Sequence, residues 1–177
     1  MRSDIIQIDN RGGGFEDAVN ETRKAAEYSD IDAKQSVQLQ LITEEMLSLA
    51  RSVTGEMQAS FWLEGENGKF VMHMSTKTVM DREKRYLLIS SATSRKNEAA
   101  KGFLGKLRDK FEEAMASDAE REYSDLPAEL RADLSGPLAD PEWDGYERSV
   151  LRRIADDVKI SIKGGLVEMT VTKDFCA

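Results

Sequence analysis

The chain has 177 residues, 40% of them hydrophobic and 33% charged, and a formal net charge of −8. It is long enough to bury one sizeable core and too rich in apolar residues for a disordered chain. The acidic balance repels phosphate backbones and anionic lipid, which argues against nucleic acid and membrane surfaces as partners. A polar start, no apolar run near the roughly 20 residues of a membrane span, and a single cysteine, Cys176, together point to a cytoplasmic protein without disulfides.

In chain order, Ile5, Ile6 and Ile8 read as a short strand, broken by Arg11-Gly-Gly-Gly14. Phe15 to Tyr28 has helical spacing, with Phe15, Ala18, Val19, Thr22 and Ala26 on one side. Asp30 or Asp32 caps a second helix that ends near Gly55. Its apolar stripe is Leu39, Ile42, Met46, Leu49 and Val53, and Glu44 and Ser48 fall opposite that stripe, one turn apart.

A hairpin follows, turning at Asn67-Gly68. Setting Glu66 against Lys69 pairs Leu63 with Met72 and Phe61 with Met74 on one face, and Trp62 with His73 on the other. Asp81 to Ser91 opens like a helix, although Tyr86-Leu-Leu-Ile alone suits a strand; the balance favours helix. Asn97 to Ala116 is an amphipathic helix with Ala100, Phe103, Leu104, Leu107, Phe111 and Met115 inward. Ser117 to Pro141 is acidic and turn-rich, carries all three prolines, and includes one short helix after Pro127. Asp140-Pro141-Glu142 starts another helix bearing Trp143, Tyr146, Val150, Leu151 and Ile154. A second hairpin at Gly164-Gly165 pairs Ile162 with Val167, Ile160 with Met169 and Val158 with Val171.

The resulting order, β-α-α-β-β-α-α-α-β-β, predicts one α+β domain over residues 1–177: an antiparallel or mixed sheet built from hairpins, with helices on one face. Few side chains in it carry obvious chemistry. Arg11 to Gly14 has glycines for a phosphate cradle but lacks the Lys-Ser/Thr of a P-loop, and reads as a turn. His73 is the sole histidine and has no neighbouring Cys or second His, so no metal site is expected. Ser90 to Asn97 is polar, with Arg95 and Lys96 as phosphate-binding candidates or simply part of a helix-linking loop. Trp143 and Tyr146 suit either a partner contact or core. A cysteine beside a chain end has nothing to orient it for catalysis.

Two stretches, in that element order, resemble the GHKL (Bergerat-fold) ATPases, closest to the small bacterial branch of anti-sigma factors and serine-protein kinases. Leu41-Ile-Thr-Glu44-Glu-Met-Leu-Ser48 is similar to the family's N box, in which a helical Glu acts as base and an Asn four residues on holds Mg²⁺. Trp143-Asp-Gly145 through Asp156-Asp157-Val158 and the closing hairpin resembles the family's last helix and final strands. The resemblance implies a Bergerat-like two-layer sandwich. It makes Glu44 a remnant base, Ser48 a weak Mg²⁺ ligand and Gly145 a remnant of the phosphate loop, with Ser117 to Pro141 an insert in the lid region.

The departures are chemical. Ser48 stands at the Asn position, and a hydroxyl is a weaker Mg²⁺ ligand than an amide or carboxylate oxygen. The adenine-binding Asp-x-Gly-x-Gly is replaced by Thr76-Lys-Thr-Val-Met-Asp81, without glycine. Glu147 stands where a second phosphate-loop glycine belongs, and a carboxylate there repels phosphate. The resemblance therefore implies a regulatory protein that is not an ordinary ATPase or kinase. Its pocket binds Mg·ATP weakly or has lost it, and it acts through a protein partner in the manner of anti-sigma factors, with a homodimer left open. The alternative is an interaction module without nucleotide, using the acidic insert or the outer hairpin face. An active ATPase or serine kinase is the third reading. Glu44 as an ordinary solvated helix residue stands beside all three.

Overall fold

Both hairpins close in the register that their side chains dictate. The computed structural model describes residues 1–54, 58–100, 102, 105–110, 112–113 and 150–176. Its strands are β1 (Ile6–Asp9), β2 (Gln58–Glu66), β3 (Lys69–Lys77), β4 (Asp157–Lys163) and β5 (Leu166–Asp174). They form one antiparallel sheet in the order β1-β2-β3-β5-β4. Asn67 and Gly68 both have positive φ, 49° and 73°, as a type I′ turn requires, and Glu66 faces Lys69. Gly164 and Gly165 repeat this geometry, and Lys163 faces Leu166. The two hairpins join through β3 and β5, with Met72 opposite Val171 and Met74 opposite Met169. Alternate residues then share one buried face: Phe61 and Leu63, Phe70, Met72 and Met74, Val158, Ile160 and Ile162, Val167, Met169 and Val171.

The helices α1 (Phe15–Tyr28), α2 (Ala33–Thr54) and α3 (Arg82–Ser91) cover that face. For α2 the cap is Asp32: its Oδ1 accepts from the Gln35 amide at 2.7 Å, and the Gln35 side chain accepts from the Asp32 amide at 2.9 Å. This is a reciprocal capping box. Leu39, Ile42, Met46 and Leu49 enter the core as their spacing predicts, joined by Leu47 and Ala50. Full burial of each large side chain contributes about 1.5–3 kcal/mol. A buried Thr pair seams α1 to α2, with Thr22 Oγ1 and Thr43 Oγ1 3.0 Å apart, and Thr43 Oγ1 also 3.3 Å from the Met72 sulfur. The architecture is a two-layer α+β sandwich.

Residues 82–91 are helical. Asp81 Oδ1 accepts from the Lys84 amide at 2.8 Å, and Arg85, Leu88 and Ser91 are buried at helical spacing. The segment from Asn97 departs from expectation. It does not begin a helix: residues 93–98 form a strap along the outer edge of β4. Thr93 N donates to Val158 O, Val158 N to Thr93 Oγ1 and Glu98 N to Ile160 O, each at 2.8 Å. The Asn97 side chain then brackets Ile162, accepting from its amide at 2.8 Å and donating to its carbonyl at 3.0 Å. An edge strand carries obligatory donors and acceptors, and the strap satisfies them.

Helix is present at 105–110 and 112–113. There Asp109 turns toward Arg85 and Asn97. Leu107, predicted inward, lies about 200° around the helix from Asp109 and is 56% exposed. Phe103, Leu104, Phe111, Met115, the Ser117–Pro141 insert and residues 141–149 lie outside the described residues.

Candidate functional site

Glu44 and Ser48 sit on α2 one turn apart, as predicted. The buried stripe of the helix fixes their orientation. Ile42, Thr43, Met46 and Leu47 are committed to the interior, so Glu44 is exposed and Ser48 half-buried. Leu41 and Val37 are exposed one and two turns before Glu44, at 37% and 64%. The surface beside the pair is therefore partly apolar. Gly145, together with Trp143, Tyr146 and Glu147, lies outside the described residues.

The connector from β3 to α3 is where the resemblance leads one to expect an adenine-binding loop. Its polar groups are engaged in structure. Thr76 is buried and donates its hydroxyl to the Gln58 carbonyl at 3.0 Å. The Thr78 amide donates to the Gly165 carbonyl at 2.9 Å, tying the connector to the β4–β5 turn. Asp81, the only acid in the stretch, caps α3 and pairs with Lys84 at 3.3 Å.

The glycine turn after β1 is likewise self-satisfied. Asp9 Oδ1 accepts from the amides of Arg11 and Gly13, both at 2.8 Å. The chain's own carboxylate thus occupies the place a bound anion would take, and the turn reading of Arg11 to Gly14 holds.

On the outer face of the sheet, Trp62 and His73 stack at 5.0 Å between ring centroids and 8° between planes. Burial lowers the His73 pKa from 6.5; Glu64 opposes that shift and Arg2 adds to it. Its Nε2 has no hydrogen-bond partner, and a shallow cavity of about 210 Å³ opens beside it, with Lys159, Ser161 and Thr170 in its wall. A cavity of about 1240 Å³ lies at the end of the sheet between Tyr28, Glu64, Asn67 and Cys176, and neither Glu44 nor Ser48 lines it. Cys176 is exposed, with its sulfur 3.2 Å from the Asn67 carbonyl. Among the described residues, no group of His, Cys, Asp and Glu is arranged to hold a metal ion. No described helix is long and apolar enough to cross a membrane.

Sequence reasoning missed Arg85. It is 7% exposed, and its guanidinium is ion-paired to Asp109. The available signal was its place three residues before Leu88, which puts a cation on the buried stripe of α3. The chain matches no protein-family model and no curated protein.

Proposed function

We propose that this chain is a cytoplasmic regulatory protein on a GHKL-like scaffold, with a degenerate nucleotide pocket, that acts through a protein partner. The observation that carries the reading is the contrast between α2 and the β3–α3 connector. Helix α2 presents Glu44 and Ser48 one turn apart at its surface, in the element order of that superfamily. The connector that would have to grip a base has Thr76 and Asp81 engaged in backbone contacts. A carboxylate and a hydroxyl support a weak Mg²⁺ or polar contact, and nothing stronger. Glu44 is then the remnant base, Ser48 the weak ligand and Gly145 the phosphate-loop remnant.

Thermal unfolding with and without millimolar Mg·ATP tests this. A ligand at its own Kd adds only about 0.4 kcal/mol, and one at a hundred Kd adds about 2.7 kcal/mol. At about 2–4 °C per kcal/mol for a chain of this size, a degenerate pocket shifts Tm by about 1–2 °C, and an intact one by about 5–10 °C. The expected result is the small shift, lost in Glu44→Ala, with no phosphate release. A large shift with phosphate release would establish an active ATPase or kinase instead.

The outer sheet face, with its half-buried Trp62–His73 stack, favours a second reading: an interaction module without nucleotide. It predicts no response to Mg·ATP, and partner capture that survives Glu44→Ala. Loss of capture on deleting Ser117–Pro141 would place the contact in the insert; retention would place it on the sheet face. Sedimentation of the pure protein reports whether that partner is a second copy.

A further inference from the structure

The chain carries a net negative charge, yet one cleft in it is cationic. The cleft lies between α3, the strap 93–98 and the helical segment 105–110, and encloses about 480 Å³. Five basic side chains line it: Arg82 and Arg85 from α3, Arg95 and Lys96 from the strap, and Lys106 from the helical segment. Two acids, Asp109 and Glu113, stand against them. Asp109 is engaged by the Arg85 guanidinium and by Asn97 Nδ2. Arg95, Lys96 and Lys106 are exposed and make no ion pair among the described residues. Like charges converging on a cleft repel one another, and an anion between them reverses the sign of that interaction.

The second observation is Arg85 itself. Its side chain is 8% exposed, and its Nη1 has no hydrogen-bond partner. A buried guanidinium donor without an acceptor is costly; with Nη2 held by Asp109, Nη1 is left to donate to an oxygen of an anion. The cleft is also held in shape. Asn97 ties the strap to β4 through Ile162, and Asp109 ties Arg85 to the helical segment. Tyr86 and Ile89 add an aromatic and an apolar wall, so the volume accommodates a phosphate and part of the group that carries it.

We propose that this cleft binds a phosphate group borne on a larger ligand, with Arg85, Arg95, Lys96 and Lys106 as its cationic contacts. The site is separate from the α2 pair, since neither Glu44 nor Ser48 lines it, and it does not rest on the nucleotide reading. The phosphate can come from a free phosphorylated small molecule or from a phosphorylated side chain of a protein partner.

Calorimetric titration of the full chain tests the site with pyrophosphate, and with a phosphoserine peptide and its unphosphorylated twin, in chloride at matched ionic strength. Expected is saturable binding of at least one phosphorylated probe, weakened about tenfold or more in the double variant Arg95→Glu/Lys96→Glu. Those two side chains are exposed on the strap, so the variant keeps its fold, and an unchanged circular dichroism spectrum verifies it. Arg85→Lys keeps a cation for Asp109 but loses the separate Nη1 donor, and weakens binding with the fold intact. Glu44→Gln leaves binding unchanged, which separates this site from any response to Mg·ATP at α2. Preference for the phosphopeptide assigns the ligand to a protein; preference for pyrophosphate assigns it to a small molecule. Absence of binding above the chloride background, or equal binding by the Arg95→Glu/Lys96→Glu variant, would overturn the proposal.

Discussion

Replacing Asn97 by Ala should unfasten the strap from β4. The amide of Asn97 makes four hydrogen bonds, each with matching polarity. Its Oδ1 accepts from Ile162 N at 2.8 Å and from Ala99 N at 3.1 Å, and its Nδ2 donates to Ile162 O at 3.0 Å and to Asp109 at 2.5 Å. Truncation leaves both backbone groups of buried Ile162 without partners, at about 1–3 kcal/mol each. Water reaches an opened sheet edge and recovers part of that, so the expected loss is about 3 kcal/mol. For a chain of this size that lowers Tm by about 6–12 °C.

Asn97→Asp supplies the control. It preserves shape and the Oδ1 contacts, but it turns a second oxygen toward the Ile162 carbonyl and the Asp109 carboxylate. It should therefore destabilise more than Asn97→Ala. Urea unfolding followed by far-ultraviolet circular dichroism measures both, and hydrogen exchange at the Ile162 amide reports the local opening. A loss under about 0.5 kcal/mol, the range of ordinary surface substitutions, or an Asp variant more stable than the Ala variant, would refute the reasoning.

Gly14→Ala should be among the most damaging single changes. Gly14 has φ +79°, and an added Cβ would lie 2.1 Å from the Gln7 carbonyl oxygen, so an unfolding scan should show a loss of at least about 2 kcal/mol. His73 has a folded pKa below its ordinary 6.5, so the unfolded chain binds the extra proton. Stability should fall as pH drops through 6.5 toward the folded value and then level off, and His73→Gln should remove that slope in pH-dependent denaturation. Burial alone would raise the Asp156 pKa, but its bonds to Lys173 at 2.8 Å and to the Asp174 amide at 2.7 Å outweigh burial and hold it below 3.8. The stability it adds is present above 3.8 and lost as pH falls through that value toward the folded pKa, so Asp156→Asn should blunt acid unfolding, with a small amplitude because the side chain is 45% exposed.

Local rules carried the sheet and most of the helices. Asn67-Gly68 and Gly164-Gly165 demand their turns, and a period of two leaves only one register in which Phe61 meets Met74 and Ile160 meets Met169. The α2 stripe likewise settled that Glu44 faces outward, because that depends only on 3.6-residue periodicity. The fate of Asn97 depended on something remote in sequence: a strand edge more than sixty residues away with unpaired amides, which outcompeted the helical propensity of its own segment. The cationic cleft was hidden for the same reason. Arg95 and Lys96 were legible as polar loop residues, but their convergence with Arg82, Arg85 and Lys106 exists only once α3, the strap and the helical segment pack together. Composition reported an acidic protein; only tertiary structure gathered five of its basic side chains around one cleft, because charge density is a property of distance in space and not along the chain.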